Sequence, residues 1–243
     1  MKIENAGNRI MNTWLYPIAD GWVMIDTGYE NSYAPVLKKL RKLRIQPEEV
    51  RYIFLTHAHD DHAGFLEEWM SKHPRTQVIA HEKAIAGLRR GQNSFNGGCS
   101  TIFAFLFCQL MALLGNGEHR YPKLSQTHLD QIVTLNADHQ TQVEAALNGK
   151  ILYTAGHTAD SISLLVDGNL FCGDAAMDGL PGFHKITIWV EDKTAFAQSW
   201  DVMVASGAKR IYPAHGNPFC PCALRKNKKF IAGLHLRPLK GKG

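Results

Sequence analysis

The 243-residue chain contains no apolar run long enough to cross a bilayer. Its longest near-uniform apolar stretch, CSTIFAFLFCQLMALL at Cys99–Leu114, falls short of the ~20 residues that a span needs. The opening residues, MKIENAGNRIMNTW, lack the apolar core of about 7–15 residues that marks a secretory signal, so the chain is expected to be cytoplasmic. Cysteine is scarce. The five present (Cys99, Cys108, Cys172, Cys220 and Cys222) are odd in number and scattered, which does not make a disulfide framework. No internal repeat of fixed period is found, which argues against a solenoid or propeller. Acidic residues are missing after Leu224, where seven Lys and Arg stand unopposed. The net charge of +5 therefore belongs to the segment 225–243, and residues 1–224 carry 20 bases against 22 acids. A solvated or loosely packed basic tail is the expectation. Without interleaved aromatics, a nucleic-acid partner is not favoured.

The composition, 45% apolar and 20% charged, is that of a folded soluble protein. Strands are expected at Ile10–Ile18 and Trp22–Ile25, separated by the turn signal Asp20-Gly21. Residues 33–43 place Val36, Leu37, Leu40 and Leu43 on one stripe, with lysines opposite, as in an amphipathic helix. Val50–Leu55 suits a buried strand, Phe65–Lys72 a helix, Gln77–Ala80 a strand, and the stretch near His81–Arg90 a helix. Residues 91–129 break this rhythm and are read as a helical insertion. Within it, Cys99–Leu114 is expected to be a buried helix, or one that covers a site or a dimer partner. Further strands are expected at Gln131–Leu135, Gln142–Leu147, Ile151–Thr154, Ile162–Val166, Leu170–Cys172 and Arg210–Tyr212, with a helix at Thr194–Ala205. The whole of 1–243 reads as a single domain.

The densest chemistry lies in THAHDDHAG, residues 56–64, directly after a strand. His57 and His59 are two apart and would project to one side of an extended segment. Asp61 and His62 follow where the chain can turn. Imidazole suits zinc and similar borderline metals, and a carboxylate adds anionic coordination. At this composition the pattern H-x-H-x-D-H arises by chance about once in 700 chains. Three more ligand-type residues follow strand candidates: His157 in TAGHTADS, Asp174 in LFCGDAA and His215 in RIYPAHGNPF. Seven such residues at strand ends suffice for two metal sites with a shared bridge.

Here the sequence resembles the metallo-β-lactamase superfamily of metal hydrolases. The residues that carry the resemblance are His57-x-His59-x-Asp61-His62, Gly156-His157-Thr158, Gly173-Asp174 and Ala214-His215-Gly216, with Asp26-Thr27-Gly28 earlier. The resemblance covers roughly residues 10–217 outside the insertion. It implies an α/β fold, a four-layer αβ/βα sandwich, and two divalent ions: zinc first, iron or manganese otherwise. It also implies one ion on His57, His59 and His157, the other on Asp61, His62 and His215, and Asp174 as the bridge. A hydroxide between the metals would be the nucleophile, and Asp61 would steer it or pass a proton.

Branches of this superfamily differ at particular positions. Asp174 stands where most β-lactam-hydrolysing branches have cysteine or serine. The glyoxalase II-like thioesterases share all seven ligands, but their last histidine sits in a different context from Tyr212-Pro213-Ala214-His215-Gly216. Lactonase-like members usually carry a tyrosine shortly after the bridging aspartate. Here the sequence runs Asp174-Ala175-Ala176-Met177-Asp178, and His184 is the nearest group able to bind substrate in its place. The expectation is a hydrolase of a small ester, lactone or thioester, with Ile102–Leu114 as a candidate wall for an acyl chain or a homodimer face. A phosphodiesterase or nuclease of the same superfamily is the runner-up. Asp60 and Asp160 are candidate supports for the ligands, His81 is read as structural, and Cys220 and Cys222 as ordinary cysteines.

Overall fold

The computed structural model describes residues 2–136 and 139–239, a mixed α/β chain of two compact units. The first comprises Met1–Asn93 and Arg120–Lys150, the second Ser94–His119 and Ile151–Gly243. The stretch 91–129 is thus divided. Its helix Ile102–Leu113 falls in the second unit, while the turns leading to the helix Gln126–Gln131 fall in the first.

The first unit is built on a six-stranded sheet whose spatial order follows the sequence: Glu4–Asn5, Trp14–Ile18, Gly21–Ile25, Val50–Phe54, Gln77–His81 and Val133–Leu135. The first three strands pair antiparallel and the rest parallel. The hairpin closes across Ala19-Asp20, with Ile18 opposite Gly21. Its first strand starts at Trp14 rather than Ile10, because the Asn8 side-chain oxygen accepts from the backbone N–H of Ile10 and Met11 and holds a turn there. The helix Tyr33–Leu43 lays Val36 and Leu40 into a core with Leu15, Met24, Ile53, Phe65 and Trp69. Each such aliphatic side chain is worth about 2 kcal/mol when fully buried. Parallel pairing of Gly21–Ile25 with Val50–Phe54 matters for function, because it brings the carboxyl ends of both strands to one edge.

The second unit carries a four-stranded sheet in the order Arg210–Pro213, Asn169–Gly173, Ile162–Val166, Lys150–Tyr153. Asn169–Gly173 runs parallel to Arg210–Pro213 and antiparallel to Ile162–Val166. A two-stranded ribbon pairs Trp189–Val190 with Gly98–Cys99. The helix Lys193–Ala205 is capped by Asp192, whose Oδ1 accepts from the N–H of Thr194 and Ala195. It buries Phe196, Trp200 and Met203 against Leu170, Ile211 and Leu224.

Four expectations are corrected. Gln140–Leu147 is a helix, not a strand: Val143 and Leu147 lie one turn apart and are buried, and Gln140 bonds Glu144 across the same spacing. Of the two readings of Cys99–Leu114, the buried helix is the one excluded, because Ile102–Leu113 buries only Ala104 and its large apolar side chains face out. Cys220 and Cys222 are joined as a disulfide, their Cα atoms 5.2 Å apart and within the usual span for such a bond. The basic segment is not simply solvated, because it forms the helices Cys222–Asn227 and Lys229–Ala232 and buries Ile231. Among the described residues no helix is long and apolar enough to cross a membrane.

Candidate metal centre

In the first unit the ligand-type residues gather at the carboxyl edge of the parallel strands. Ile25 pairs with Phe54, and the Asp26 N–H donates to the Phe54 carbonyl at 3.1 Å, so Asp26 lies beside the start of THAHDDHAG. Asp26 adopts φ 58°, a left-handed conformation that an L-residue holds only when its surroundings fix it. Its carboxylate is fully used. Oδ1 accepts the Thr56 N–H at 2.7 Å, and Oδ2 takes the Thr56 hydroxyl at 2.8 Å and His62 Nδ1 at 2.8 Å.

This network sets the histidine tautomers. A carboxylate only accepts, so His62 Nδ1 carries the proton and Nε2 presents a lone pair. The Thr56 hydroxyl has spent its proton on Asp26, so its oxygen accepts from His57 Nδ1 at 3.1 Å. His57 Nε2 is thereby also left as a donor atom toward a metal, the usual arrangement around a metal-binding histidine. Ligand nitrogens of His57 and His59 lie within 4.8 Å of each other, as do those of His57 and His62. Asp61 Oδ1 is 3.6 Å from His62 Nε2. The three histidines are buried and Asp61 is partly open.

The loop is pinned from below. Thr27 sends both its N–H and its hydroxyl to the His62 carbonyl, at 2.8 and 2.7 Å. The Gly64 N–H reaches the Gly28 carbonyl at 2.9 Å. A Cβ at Gly64 would lie 2.4 Å from the Asp60 carbonyl oxygen, which explains the glycine that ends the motif. Asp60 faces Asn93: its N–H donates to Asn93 Oδ1, and Asn93 Nδ2 returns a bond to Asp60 Oδ1, both at 2.7 Å. His81 is buried, and its Nδ1 accepts from the Lys83 N–H at 3.0 Å. A cavity of about 490 Å³ lies beside Gly28, but its lining includes Lys38, Lys39 and Lys42 and none of the histidines.

In the second unit Asp174 and His215 follow the neighbouring parallel strands. Gly173 pairs with Pro213, and the Ala214 N–H bonds the Gly173 carbonyl at 3.0 Å. Each carboxylate oxygen of Asp174 faces a different histidine. Oδ2 lies 3.7 Å from His157 Nε2 and Oδ1 3.5 Å from His215 Nε2, a spacing at which an ion can sit beside each oxygen. His157 Nδ1 donates to the Trp189 backbone carbonyl at 2.8 Å, so Nε2 again carries the lone pair. Gly156 has φ 132°, and an added Cβ would meet the Phe196 nitrogen at 2.3 Å. Asp160 is buried. His184 is exposed on a loop, stacked on Phe230 with ring centroids 3.7 Å apart. Each unit therefore presents imidazole nitrogens and carboxylate oxygens, with the far nitrogens of His57, His62 and His157 already tied, a donor set that suits divalent zinc, iron or manganese.

Sequence reasoning missed the supports. Asp26 was visible only as part of a resemblance, Thr56 only as the first residue of THAHDDHAG, and the Trp189 carbonyl has no side-chain signal at all.

A family model described as the metallo-beta-lactamase superfamily matches residues 6–215. The chain is 30% identical over 209 residues to the metallo-beta-lactamase fold-containing protein ST1585 of Sulfurisphaera tokodaii, covering 85% of this chain and 73% of that one. It is 23% identical over 167 residues to the hydroxyacylglutathione hydrolase of Tolumonas auensis, covering 68% of this chain but 47% of that protein. Among solved structures, Rm3 metallo-beta-lactamase aligns with a TM-score of 0.68 at 16% identity, over 95% of this chain and 90% of its own, a likeness of fold alone. Strand-end ligands, tautomer supports and the match over residues 6–215 agree: the chain belongs to the metallo-β-lactamase superfamily, whose members are metal-dependent hydrolases.

Proposed function

We propose that this chain hydrolyses an ester, lactone or thioester with a pair of divalent ions. His57, His59 and His157 would hold one ion, Asp61, His62 and His215 the other, and Asp174 would be shared between them. The observation that carries this reading is Asp174, whose two oxygens are turned to two different histidines. The seven-residue set rests further on the motif spacing and on the superfamily. The imidazole-rich donors suit zinc or iron better than manganese, and zinc is the first ion to test. When bound, such a pair supplies Lewis acidity and lowers the pKa of a water toward neutrality.

The chain's own contribution is to hold these donors in place. Asp26 and Thr56 orient His57 and His62, and the Trp189 carbonyl orients His157. Asp61, which is partly open, would steer the attacking water or take a proton from it. An acyl substrate is favoured by a relative named hydroxyacylglutathione hydrolase. It is favoured too by aspartate at 174, where most β-lactam-hydrolysing branches carry cysteine or serine.

The test is steady-state turnover by metal-quantified protein on a panel of acyl-lactones and thioesters, against a simple phosphodiester. Turnover of the carbonyl compounds with two metals per chain is expected. Turnover of the phosphodiester alone would overturn the acyl reading.

A further inference from the structure

The helix Ile102–Leu113 is the most exposed apolar surface among the described residues. Ile102, Phe103, Leu106, Phe107, Leu110, Leu113 and the following Leu114 are all exposed, with Leu113 at 84% and Phe103 at 62%. No Asp, Glu, Lys, Arg or His occurs anywhere from Gly91 to Gly117. The helix is well formed, since the Thr101 hydroxyl caps its first turn by accepting from the Ala104 N–H at 3.0 Å. Scattered surface leucines are ordinary, but a contiguous uncharged apolar face on a capped helix marks a surface that something covers.

The neighbouring chain says what covers it. Phe103 contacts Phe183, with ring centroids 5.6 Å apart. The next residue, His184, stacks on Phe230, and Lys229 Nζ lies 5.2 Å from the Phe230 ring. Independently, Cys99, three residues before the helix, exchanges backbone hydrogen bonds with Arg237 at 2.8 and 3.0 Å. The basic segment is therefore linked to the chain around the apolar helix at two points, through the Phe183-His184 pair at one and through Cys99, just before the helix, at the other. That segment contributes Arg225, Lys226, Lys228, Lys229 and Arg237, and the sequence continues with Lys240 and Lys242 without one acid after Leu224. Lys228 is paired with Asp201, and among the described residues Arg225, Lys226 and Lys229 form no ion pair. An apolar helix flanked by cations is complementary to a surface with an oily interior and an anionic face.

We propose that Ile102–Leu114 and the basic segment after Leu224 form a docking surface for an anionic lipid bilayer, on which the helix lies without crossing. Its 12 residues span about 18 Å, too short for the ~30 Å hydrocarbon core. Stable interfacial attachment takes two signals, apolar insertion and electrostatic attraction, and this unit carries both side by side. A second copy is the weaker occupant. A contact between two helices this short falls below the ~800 Å² per partner of a stable interface, and it would leave the cations unmatched.

The experiment is sedimentation of the full chain with vesicles of phosphatidylcholine alone and of phosphatidylcholine with about 30 mol% phosphatidylserine. Preferential binding to the anionic vesicles is expected, with most of it lost as salt rises from about 0.1 to 0.5 M. Leu106→Asp with Leu110→Asp, both exposed, should lower partitioning at least about tenfold. Their thermal unfolding should be unchanged. Arg225→Glu with Lys226→Glu should bring anionic binding down to the neutral-vesicle level. Equal partitioning onto both vesicle types, or none onto either, overturns the proposal. So does a dimer in light scattering that the leucine variant splits, with no vesicle binding. The salt series on the unaltered chain decides the matter even where a variant fails to fold.

Discussion

The two units place ligand-type residues at strand ends by different means. In the first, the ligands lie within six consecutive positions, and side chains hold them: Asp26 and Thr56 grip His57 and His62. In the second, His157, Asp174 and His215 are spread over 59 positions, and much of the grip is backbone. The Trp189 carbonyl takes His157, and parallel pairing of Gly173 with Pro213 sets Asp174 and His215. Side-chain support can be removed by one substitution, whereas backbone support survives most of them.

The largest effect is expected at the residue that both histidines of the second unit face. Asp174→Ala should lose bound metal and lower kcat/KM on the order of 10³-fold, several kcal/mol of stabilisation. Elemental analysis alongside turnover checks it, and full metal content with normal turnover would remove the bridging role. Next comes the side-chain support of the first unit. Asp26→Asn keeps the shape but supplies a donor where Thr56 and His62 require an acceptor, so metal affinity should fall about 10–100-fold, read by competition with a chelator.

Two further changes probe polar groups of the first unit away from the ligands. The buried Tyr16 hydroxyl donates to the Leu147 carbonyl at 3.0 Å, and burial raises its pKa, so it stays neutral. Tyr16→Phe should cost about 1 kcal/mol of stability, measured by urea unfolding, with turnover unchanged. His73 Nε2 meets the Tyr33 hydroxyl at 2.9 Å, and desolvation holds its pKa below the usual 6.5. The unfolded chain then binds the proton more readily. Stability is full above pH 6.5 and falls as pH drops through the folded pKa. His73→Gln should flatten that part of the profile. The smallest effect is expected in the second unit. Trp189→Phe keeps the carbonyl that orients His157, so metal affinity should change less than about twofold. A loss as large as that of Asp26→Asn would erase the contrast between the units.

Much of this was legible in advance, for reasons that differ by element. The helix Tyr33–Leu43 and the strand Ile162–Val166 lie where periodicity put them, because their burial is one-sided or complete. The ligand-type residues stood out because each follows a strand. Gln140–Leu147 misled because its short apolar alternation fits a strand as well as a helix, and Val143 and Leu147 settle it only once a core is present. Cys99–Leu114 misled in the opposite sense, since apolar composition predicts burial but does not name what does the burying. The Asp26 backbone conformation and the Trp189 carbonyl were beyond reach, because neither leaves a residue-type signature.

The parallel pairing of Asn169–Gly173 with Arg210–Pro213 also bears on the order in which the molecule matures. Asp26 to Gly64 and Asp174 to His215 are chain loops of similar length, each about forty residues, and each is closed by a parallel strand pair, so the two closures cost nearly the same entropy. What separates them is the order of synthesis, because the cluster His57–His62 is made about 150 residues before His215. On the proposed function, a nascent chain would offer its first metal donors at His57–His62, and its last only after the strand Arg210–Pro213 has been made and paired with Asn169–Gly173.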